Sequence, residues 1–372
     1  MQKIENKIKD LLNEDPYNLE VKIKKKKILD ILKLQIQHHI KNCPNYKIWY
    51  KKNYFIKPEK IVDYKDIPYL PSAIFKMVNL KSSKSSIKII SSSGSAGQKK
   101  STINLDSKTS NLQKICLGKI LSSTLNNKRR VFFIVDIEPI ESFNQSTISA
   151  RYAGMSGYLM AASSKHYLLK LDKDKNIIVN KKKFFELKKI IKSEPIVIIG
   201  YTFMLWNYLL QNDEFNFRKI LCHEETKIIH FGGWKKLEKK SVTKENFIKE
   251  IKKKINIKSA NILDIYGFSE QLGTIYISKG LDGCKVTSYS HLLIRDPKTF
   301  KIVKDGNIGF IQFFSILPLS YPGFSILNDD IGYISKREII NNVEKIEFKV
   351  HSRLEKLESR GCGDTLPAHY YI

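Results

Sequence analysis

Three stretches of this 372-residue chain combine residue types that can do chemistry. The first, IISSSGSAGQKKSTINLD (89–106), passes from two β-branched residues into a run of Ser, Gly and Lys with almost no bulk. A strand feeding such a turn brings backbone N–H groups to phosphate oxygens without side-chain obstruction. A plain surface turn has the same composition. Five residues after Gly94 stands Lys99, so G-x-x-x-x-G-K-[ST] is not matched, and neither is G-x-G-x-x-G. The second stretch, DIYGFSEQLGTIY (264–276), sets an aromatic, a glycine, an aromatic, a hydroxyl and a carboxylate in line. The third group comprises ILNDDIGYI (326–334) and KVHSRLEKLESRGCGD (349–364). It brings adjacent carboxylates, two arginines and a glycine-flanked thiol.

In that order, the Ser/Gly loop, Y-G-x-[ST]-E, D-x-G and final Arg resemble the adenylate-forming enzymes, in which a carboxylate attacks the α-phosphate of ATP to give an acyl-adenylate. Within that superfamily the chain is most similar to the LuxE-type acyl-protein synthetases. The stretches that carry this resemblance are IPYLPSAIFK, FGGWKK, YGFSEQLG, SYPGFSILNDDIG and RGCG, spanning roughly residue 40 to the C-terminus. The resemblance implies an α/β fold, that of the adenylate-forming large domain, with layered α/β sheets and a β-rich subdomain. Most adenylate-forming enzymes continue into a small mobile domain. This sequence stops at Ile372, as LuxE-type synthetases do, so that domain is expected to be missing.

The resemblance also implies roles. Ser92, Ser93, Gly94, Ser95 and Gly97 would surround the phosphates, and Lys100 occupies the place of a phosphate-side lysine. Lys99 stands where a Pro usually precedes it, which leaves the loop less stiff. Glu270 would ligate Mg²⁺, a hard cation that needs only one or two protein carboxylates beside phosphates. Ser269 would hydrogen-bond the α-phosphate, and Tyr266, followed by Gly267, would pack on adenine. Gly232, Gly233 and Trp234 would approach the adenine edge. Asp330 would accept from the ribose hydroxyls, with Asp329 beside it in place of the usual Gly. Arg353, preceded by Ser352 rather than Gly, or Arg360 would contact phosphate or ribose. Cys362 takes the place of the family's acyl-accepting cysteine. Arg360, His351 and His369 nearby would lower its pKa and favour the nucleophilic thiolate.

The implied reaction needs ATP, Mg²⁺ and a fatty or other aliphatic carboxylic acid. The acyl group would pass to Cys362 and on to an acyl-CoA-reductase-like enzyme or a carrier protein. Two rivals differ in chemistry. One is a ligase delivering its acyl-adenylate directly to a carrier thiol, coenzyme A or a small-molecule amine. The other is a non-catalytic basic binding protein on this fold.

These residues need a scaffold, and the hydropathy pattern supplies one. The first 60 or so residues carry apolar positions at helical spacing, punctuated by Pro16 and Pro44. From about residue 85, IKII, RRVFFIVDIEP, TKIIHF and NILDIY read as strands, and EPIVIIGYTFMLWNYLLQ as a strand, a glycine turn and a helix. Strands separated by helices predict a mostly parallel sheet. Beyond residue 280 the pattern is of hairpins, with turns expected at DPKT, KDGN and NDDIG. The expected organisation is a helical segment (1–75) packed on the main domain, an α/β core (76–285), and a β-rich subdomain with the acceptor segment (286–372).

A net charge of +28, from 65 basic and 37 acidic residues, raises nucleic acid or anionic membrane as partners. The lysines are spread over every segment and interleave with Ile and Asn in helical patterns, which reads as solvated helix faces. No nucleic-acid-binding signature accompanies them, so no specific nucleic acid is expected. Five widely spaced cysteines without CxxC argue against a disulfide framework or a structural zinc site. No apolar leader or transmembrane-length run is present, and a cytoplasmic protein is expected.

Overall fold

The structure is a computed structural model describing residues 1–54, 56–91, 101–139, 155–174, 176–212, 220–233 and 241–353. The expected sites Ser92, Ser93, Gly94, Ser95, Gly97, Lys100, Trp234, Arg360 and Cys362 lie outside the described residues.

Three helices open the chain: α1 (Gln2–Leu12), α2 (Val21–Asn42) and α3 (Pro44–Asn53). In α1, Ile4, Ile8, Leu11 and Leu12 form the buried stripe, the i, i+4, i+7, i+8 pattern of a helix laid on a core. Pro44 stands at the first turn of α3, where its missing N–H costs no helical bond.

Short β1 (Leu70–Pro71) and α4 (Ile74–Met77) lead to a hairpin of β2 (Lys88–Ser91) and β3 (Thr102–Leu105). Its register pairs Ser91 with Thr102, so the Ser/Gly segment is the hairpin's connection. Asp106 then caps α5 (Ser107–Thr124), accepting from the Thr109 N–H at 2.7 Å.

The α/β part contributes β4 (Arg130–Ile137), β5 (Ala162–Leu171), β6 (Ile177–Val179), β7 (Ile196–Tyr201), β8 (Ile220–Leu221), β9 (Lys227–Phe231), β10 (Ile255–Asn256) and β11 (Ile262–Tyr266). The β5–β4–β7–β9–β11 run is parallel throughout, as the alternating pattern predicts. All six residues of β7 are buried, the texture of a strand covered on both faces. Gly200 is part of β7 and not a turn: a Cβ there would lie 3.1 Å from the Cβ of Val135 on β4. The following helix starts at Thr202 and passes into a π-helical turn, Leu205–Leu210.

The remainder is antiparallel: β12 (Tyr276–Lys279), β13 (Cys284–Lys285), β14 (Ser290–Arg295), β15 (Gly309–Ser315), β16 (Ser325–Ile340) and β17 (Val343–Arg353). One 13-stranded sheet joins both parts in the order β14-β15-β16-β17-β13-β12-β11-β9-β7-β4-β5-β6, with β1 added beside β16. The NDDIG stretch is the interior of β16, not a turn. The hairpin reverses at Asn341 and Asn342, whose φ of 49° and 64° are the left-handed values an Asn tolerates. The four described cysteines are free. Among the described residues no helix is long and apolar enough to cross a membrane.

The polar face of α2 holds a loop in place. Gln35, His38, His39 and Asn42 share one side of the helix. Gln35 Nε2 donates to the carbonyls of Ile316 (2.8 Å) and Pro318 (3.0 Å). His38 Nε2 reaches the Leu319 carbonyl at 2.9 Å and His39 Nε2 the Pro318 carbonyl at 3.3 Å. A carbonyl only accepts, so each Nε2 carries the proton and His39 Nδ1 accepts from Ser82 Oγ at 2.8 Å. Burial holds both imidazoles below the ordinary histidine pKa of 6.5, His39 further than His38. As pH falls the unfolded chain therefore takes up these protons first, so the stability is complete above about pH 6.5 and declines below it. Urea denaturation from about pH 7.5 to about pH 5 should show this decline, and His39→Gln should flatten it.

Candidate active site

The site forms where the parallel strands end. β9 runs into Gly232, whose φ of 72° is left-handed and whose Cβ would lie 3.0 Å from the Tyr201 ring. Only glycine satisfies both conditions at once. A Cβ at Gly233 would meet nothing within 4 Å among the described residues, so the backbone there is open to a ligand.

The neighbouring β11 ends at Tyr266. Its hydroxyl donates to Asp330 Oδ2 at 2.6 Å and accepts from Asn328 Nδ2 at 2.9 Å. Tyr266 and Asp330 are four strand steps apart in the sheet, so the sheet curls back on itself between them. The enclosed space is filled by aromatic rings. Tyr266 stacks on Phe313 at 5.6 Å between centroids and meets Phe348 edge-on at 5.7 Å. One face of the Tyr266 ring is thus already packed.

The two adjacent carboxylates separate cleanly, because successive residues of a strand face opposite ways. Asp329 accepts from Ser72 Oγ at 2.8 Å, while Asp330 joins Tyr266 and Asn328. Arg353 stands opposite Asp330 in the β16–β17 register.

Glu270 lies in a single 3-10 turn, Ser269–Gln271, and is only 7% exposed. Burial pushes its carboxyl above the ordinary range. The hydroxyls of Ser101 and Ser269 and the Lys76 ammonium oppose this by favouring the charged form. Ser269 Oγ donates to Glu270 Oε2 at 3.1 Å. Ser101 is the first described residue after the Ser/Gly segment, and its favouring of the charged Glu270 puts the loop's exit near the carboxylate.

The backbone behind Glu270 is equally constrained. Tyr321 donates its hydroxyl to the Glu270 carbonyl at 2.9 Å. Gln271 Nε2 donates to the carbonyls of Gly323 (2.9 Å) and Phe313 (3.2 Å). The loop containing Tyr321 and Gly323 is the one α2 grips at Ile316, Pro318 and Leu319.

Of the sites read from the sequence, the structure thus brings together Tyr266 with Asp330, and Ser269 with Glu270, and sets Gly232, Gly233 and Gly267 at the adjoining strand ends. Among the described residues no three His, Cys, Asp or Glu side chains gather as a metal-binding group. Glu270 is therefore a lone, buried carboxylate flanked by hydroxyls, a donor set suited to a hard cation that takes its remaining ligands from phosphate and water. Ser72, Lys76, Ser101 and Asn328 escaped the sequence reading. Within IPYLPSAIFK, Ser72 donates to Asp329, and the charge of Lys76 favours the ionised Glu270.

A mixed sheet whose parallel strand ends carry this cluster is the fold of the adenylate-forming ligases. Superposed on an open conformation of 2-hydroxyisobutyryl-CoA ligase in complex with 2-HIB-AMP and CoA, the chain gives a TM-score of 0.65 at 12% identity, covering 91% of this chain and 77% of that one. The same ligase with 2-HIB-AMP and CoA in the thioesterification state gives 0.64, covering 91% and 70%. At such identity the likeness establishes the fold alone.

Within that class the chain belongs to the family described as acyl-protein synthetase, LuxE, whose profile matches residues 2–370. It is 25% identical over 198 residues to a long-chain-fatty-acid–luciferin-component ligase of Aliivibrio fischeri, covering 52% of this chain and 49% of that protein. The corresponding ligase of Vibrio harveyi is 29% identical over 112 residues, covering 30% and 29%. The matched part of the chain thus spans about half the length of the first relative and under a third of the second.

The packing behind Glu270 makes a sharp prediction. A Cβ on Gly323 would sit 2.7 Å from the Glu270 carbonyl oxygen and 2.3 Å from a Tyr321 ring carbon. Gly323→Ala should destabilise by about 1–3 kcal/mol, the usual cost of overpacking. Gly118→Ala, in α5 with nothing within 4 Å, should stabilise by about 0.5–1 kcal/mol. Chemical denaturation of both variants checks the contrast.

Proposed function

We propose that this protein activates a fatty or other aliphatic carboxylic acid with ATP, forming an acyl-adenylate and pyrophosphate, and then transfers the acyl group to its own Cys362. The observation that supports the adenylation step is the burial of Glu270 close to Ser101, the residue that leaves the Ser/Gly connection of the β2–β3 hairpin and favours the charged carboxylate.

In the first half-reaction the substrate carboxylate oxygen attacks the α-phosphorus and the bond to the β-phosphate oxygen breaks. The departing pyrophosphate gathers negative charge. Ser92, Ser93, Gly94, Ser95, Gly97 and Lys100 are assigned to meet that charge with N–H, O–H and ammonium donors. Ser269 is assigned to the α-phosphate. Gly232, Gly233, Trp234 and Tyr266 would form the adenine side. Asp330, held by Tyr266 and Asn328, would accept from the ribose hydroxyls, with Arg353 or Arg360 alongside. Mg²⁺ held by Glu270 would neutralise phosphate charge when bound.

In the second half-reaction the Cys362 thiolate attacks the acyl carbon and AMP leaves, conserving the activation as a thioester. An acyl-CoA-reductase-like enzyme or a carrier protein would then take the acyl group.

Radiolabelled acid with ATP and Mg²⁺ should support acid-dependent ATP–pyrophosphate exchange and leave a hydroxylamine-labile label on the protein. Cys362→Ser should abolish the label and retain the exchange. Exchange without any label in the wild type would transfer the acceptor role to an external thiol or amine. The absence of exchange across a panel of carboxylic acids would overturn the adenylation itself.

A further inference from the structure

Away from the strand ends that carry the nucleotide site, β5 and the helix Lys181–Ile190 bring a serine, a histidine and a glutamate into line. Ser164 and His166 are two residues apart on β5, so their side chains leave the same face. Lys183 and Glu186, neighbours on one side of the helix, reach this face from above it. Ser164 Oγ lies 3.2 Å from His166 Nε2, and His166 Nδ1 lies 3.0 Å from Glu186 Oε2. The imidazole stacks on the Phe133 ring of β4, at 4.9 Å between centroids and 23° between planes, which restrains its rotation.

The far end of this chain sets the positions of its protons. Lys183 Nζ donates to Glu186 Oε2 at 2.8 Å. Its ammonium holds the Glu186 carboxyl below the ordinary range, against burial and with His166 adding to the effect. An ionised carboxylate only accepts, so the imidazole carries its proton on Nδ1 and donates it to Glu186. Lys183 Nζ also stands 3.4 Å from Nδ1, but with both groups protonated neither accepts from the other. Nε2 keeps its lone pair, and Ser164 is the donor to it. A hydroxyl donating to a base that a third group orients is the arrangement that activates a serine as a nucleophile.

Ser164 is also accessible, being exposed. The Asn180 N–H donates to the Leu168 carbonyl at 2.8 Å, from the side of β5 on which β6 lies. Residues two apart on a strand turn their N–H and C=O groups to the same side, so the Ser164 N–H points to that edge as well. There β6 pairs with Leu169–Leu171, and among the described residues no strand lies beside Ser164. Its N–H is placed to donate to an oxyanion formed at a carbon bonded to Ser164 Oγ.

We propose that Ser164, His166 and Glu186 form a catalytic site of their own, which hydrolyses small activated esters of carboxylic acids. Ser164 Oγ attacks the acyl carbon while its proton passes to His166 Nε2. The bond to the leaving oxygen then breaks, and that oxygen takes the proton from Nε2. Water attacks the resulting acyl-serine, its proton moves through Nε2 back to Oγ, and the carboxylic acid departs. Glu186 is a positioning residue that holds the imidazole in the required tautomer. Ser164 lies near the start of β5, whereas the nucleotide site lies at the far ends of the parallel strands. β5 is four strand steps from β11, roughly 19 Å across the sheet. The site therefore stands independently of the adenylation reading.

The test uses a fluorophosphonate, from which an activated serine displaces fluoride, and p-nitrophenyl acetate. The wild type should take up the phosphonate stoichiometrically, on Ser164 by peptide mass spectrometry, and should turn over the ester. Ser164→Ala should lose both. His166→Gln should slow phosphonylation at least about a hundredfold. Glu186→Gln should lower kcat for the ester with KM unchanged, and Glu186→Asp should recover part of the loss. Unchanged melting temperatures show that the variants are folded, and should one unfold, the labelled position in the wild type still decides. No phosphonate on Ser164, an equal rate in His166→Gln, or an unchanged kcat in Glu186→Gln would overturn the site.

Discussion

The proposed chemistry depends on one buried carboxylate. Glu270 sits in a single tight turn, and its burial opposes the charge it would need to hold a cation. The fold offsets that cost from several directions. Ser101 arrives from the hairpin loop, Ser269 from the same turn, and Lys76 from α4. The backbone of the turn is fixed separately, by Tyr321 on the Glu270 carbonyl and by Gln271 reaching across to Phe313 and Gly323. A side chain at Gly323 would push into that arrangement, against the Glu270 carbonyl and the Tyr321 ring.

The sheet explains how distant stretches of chain meet there. The parallel strands β7, β9 and β11 deliver their C-terminal ends together, as ligand-binding α/β sheets do. The antiparallel half then curls over, bringing Asp330 of β16 to Tyr266 of β11 across an aromatic interior. The N-terminal helices complete the design from outside. α2 binds three carbonyls of the loop at 316–319 through Gln35, His38 and His39, so a segment remote in sequence holds the wall behind the Glu270 turn. Burial keeps both imidazoles neutral, which makes the clamp firm near neutrality and weak in acid.

Much of this was legible in the sequence. The strand run from RRVFFIVDI to NILDIY was readable because parallel strands buried on both faces are nearly all apolar, and YGFSE because its residue types have a chemical use together. NDDIG was not: Asn and Asp favour turns in isolation, yet here their side chains find Ser72, Tyr266 and each other, and the strand continues to Asn341. Gln35, His38 and His39 were unreadable for a related reason. Polar residues on a buried stripe break the hydrophobic pattern, and their partners are carbonyls some 280 residues away. The burial of Lys24 was not legible, because spacing alone does not reveal which face of a lysine-rich helix is covered. Ser101 and Lys76 gave no signal beyond their nearness to motifs, since their value lies in where a hairpin and a short helix place them.

The central claim is that Glu270 holds the Mg²⁺ that accompanies ATP. Calorimetric titration of ATP in the presence and absence of Mg²⁺ tests it most directly. The wild type should bind at least about tenfold more tightly with Mg²⁺, a difference of about 1.4 kcal/mol. Glu270→Gln should lose that difference while binding metal-free ATP as before. An undiminished Mg²⁺ effect in Glu270→Gln would contradict the account.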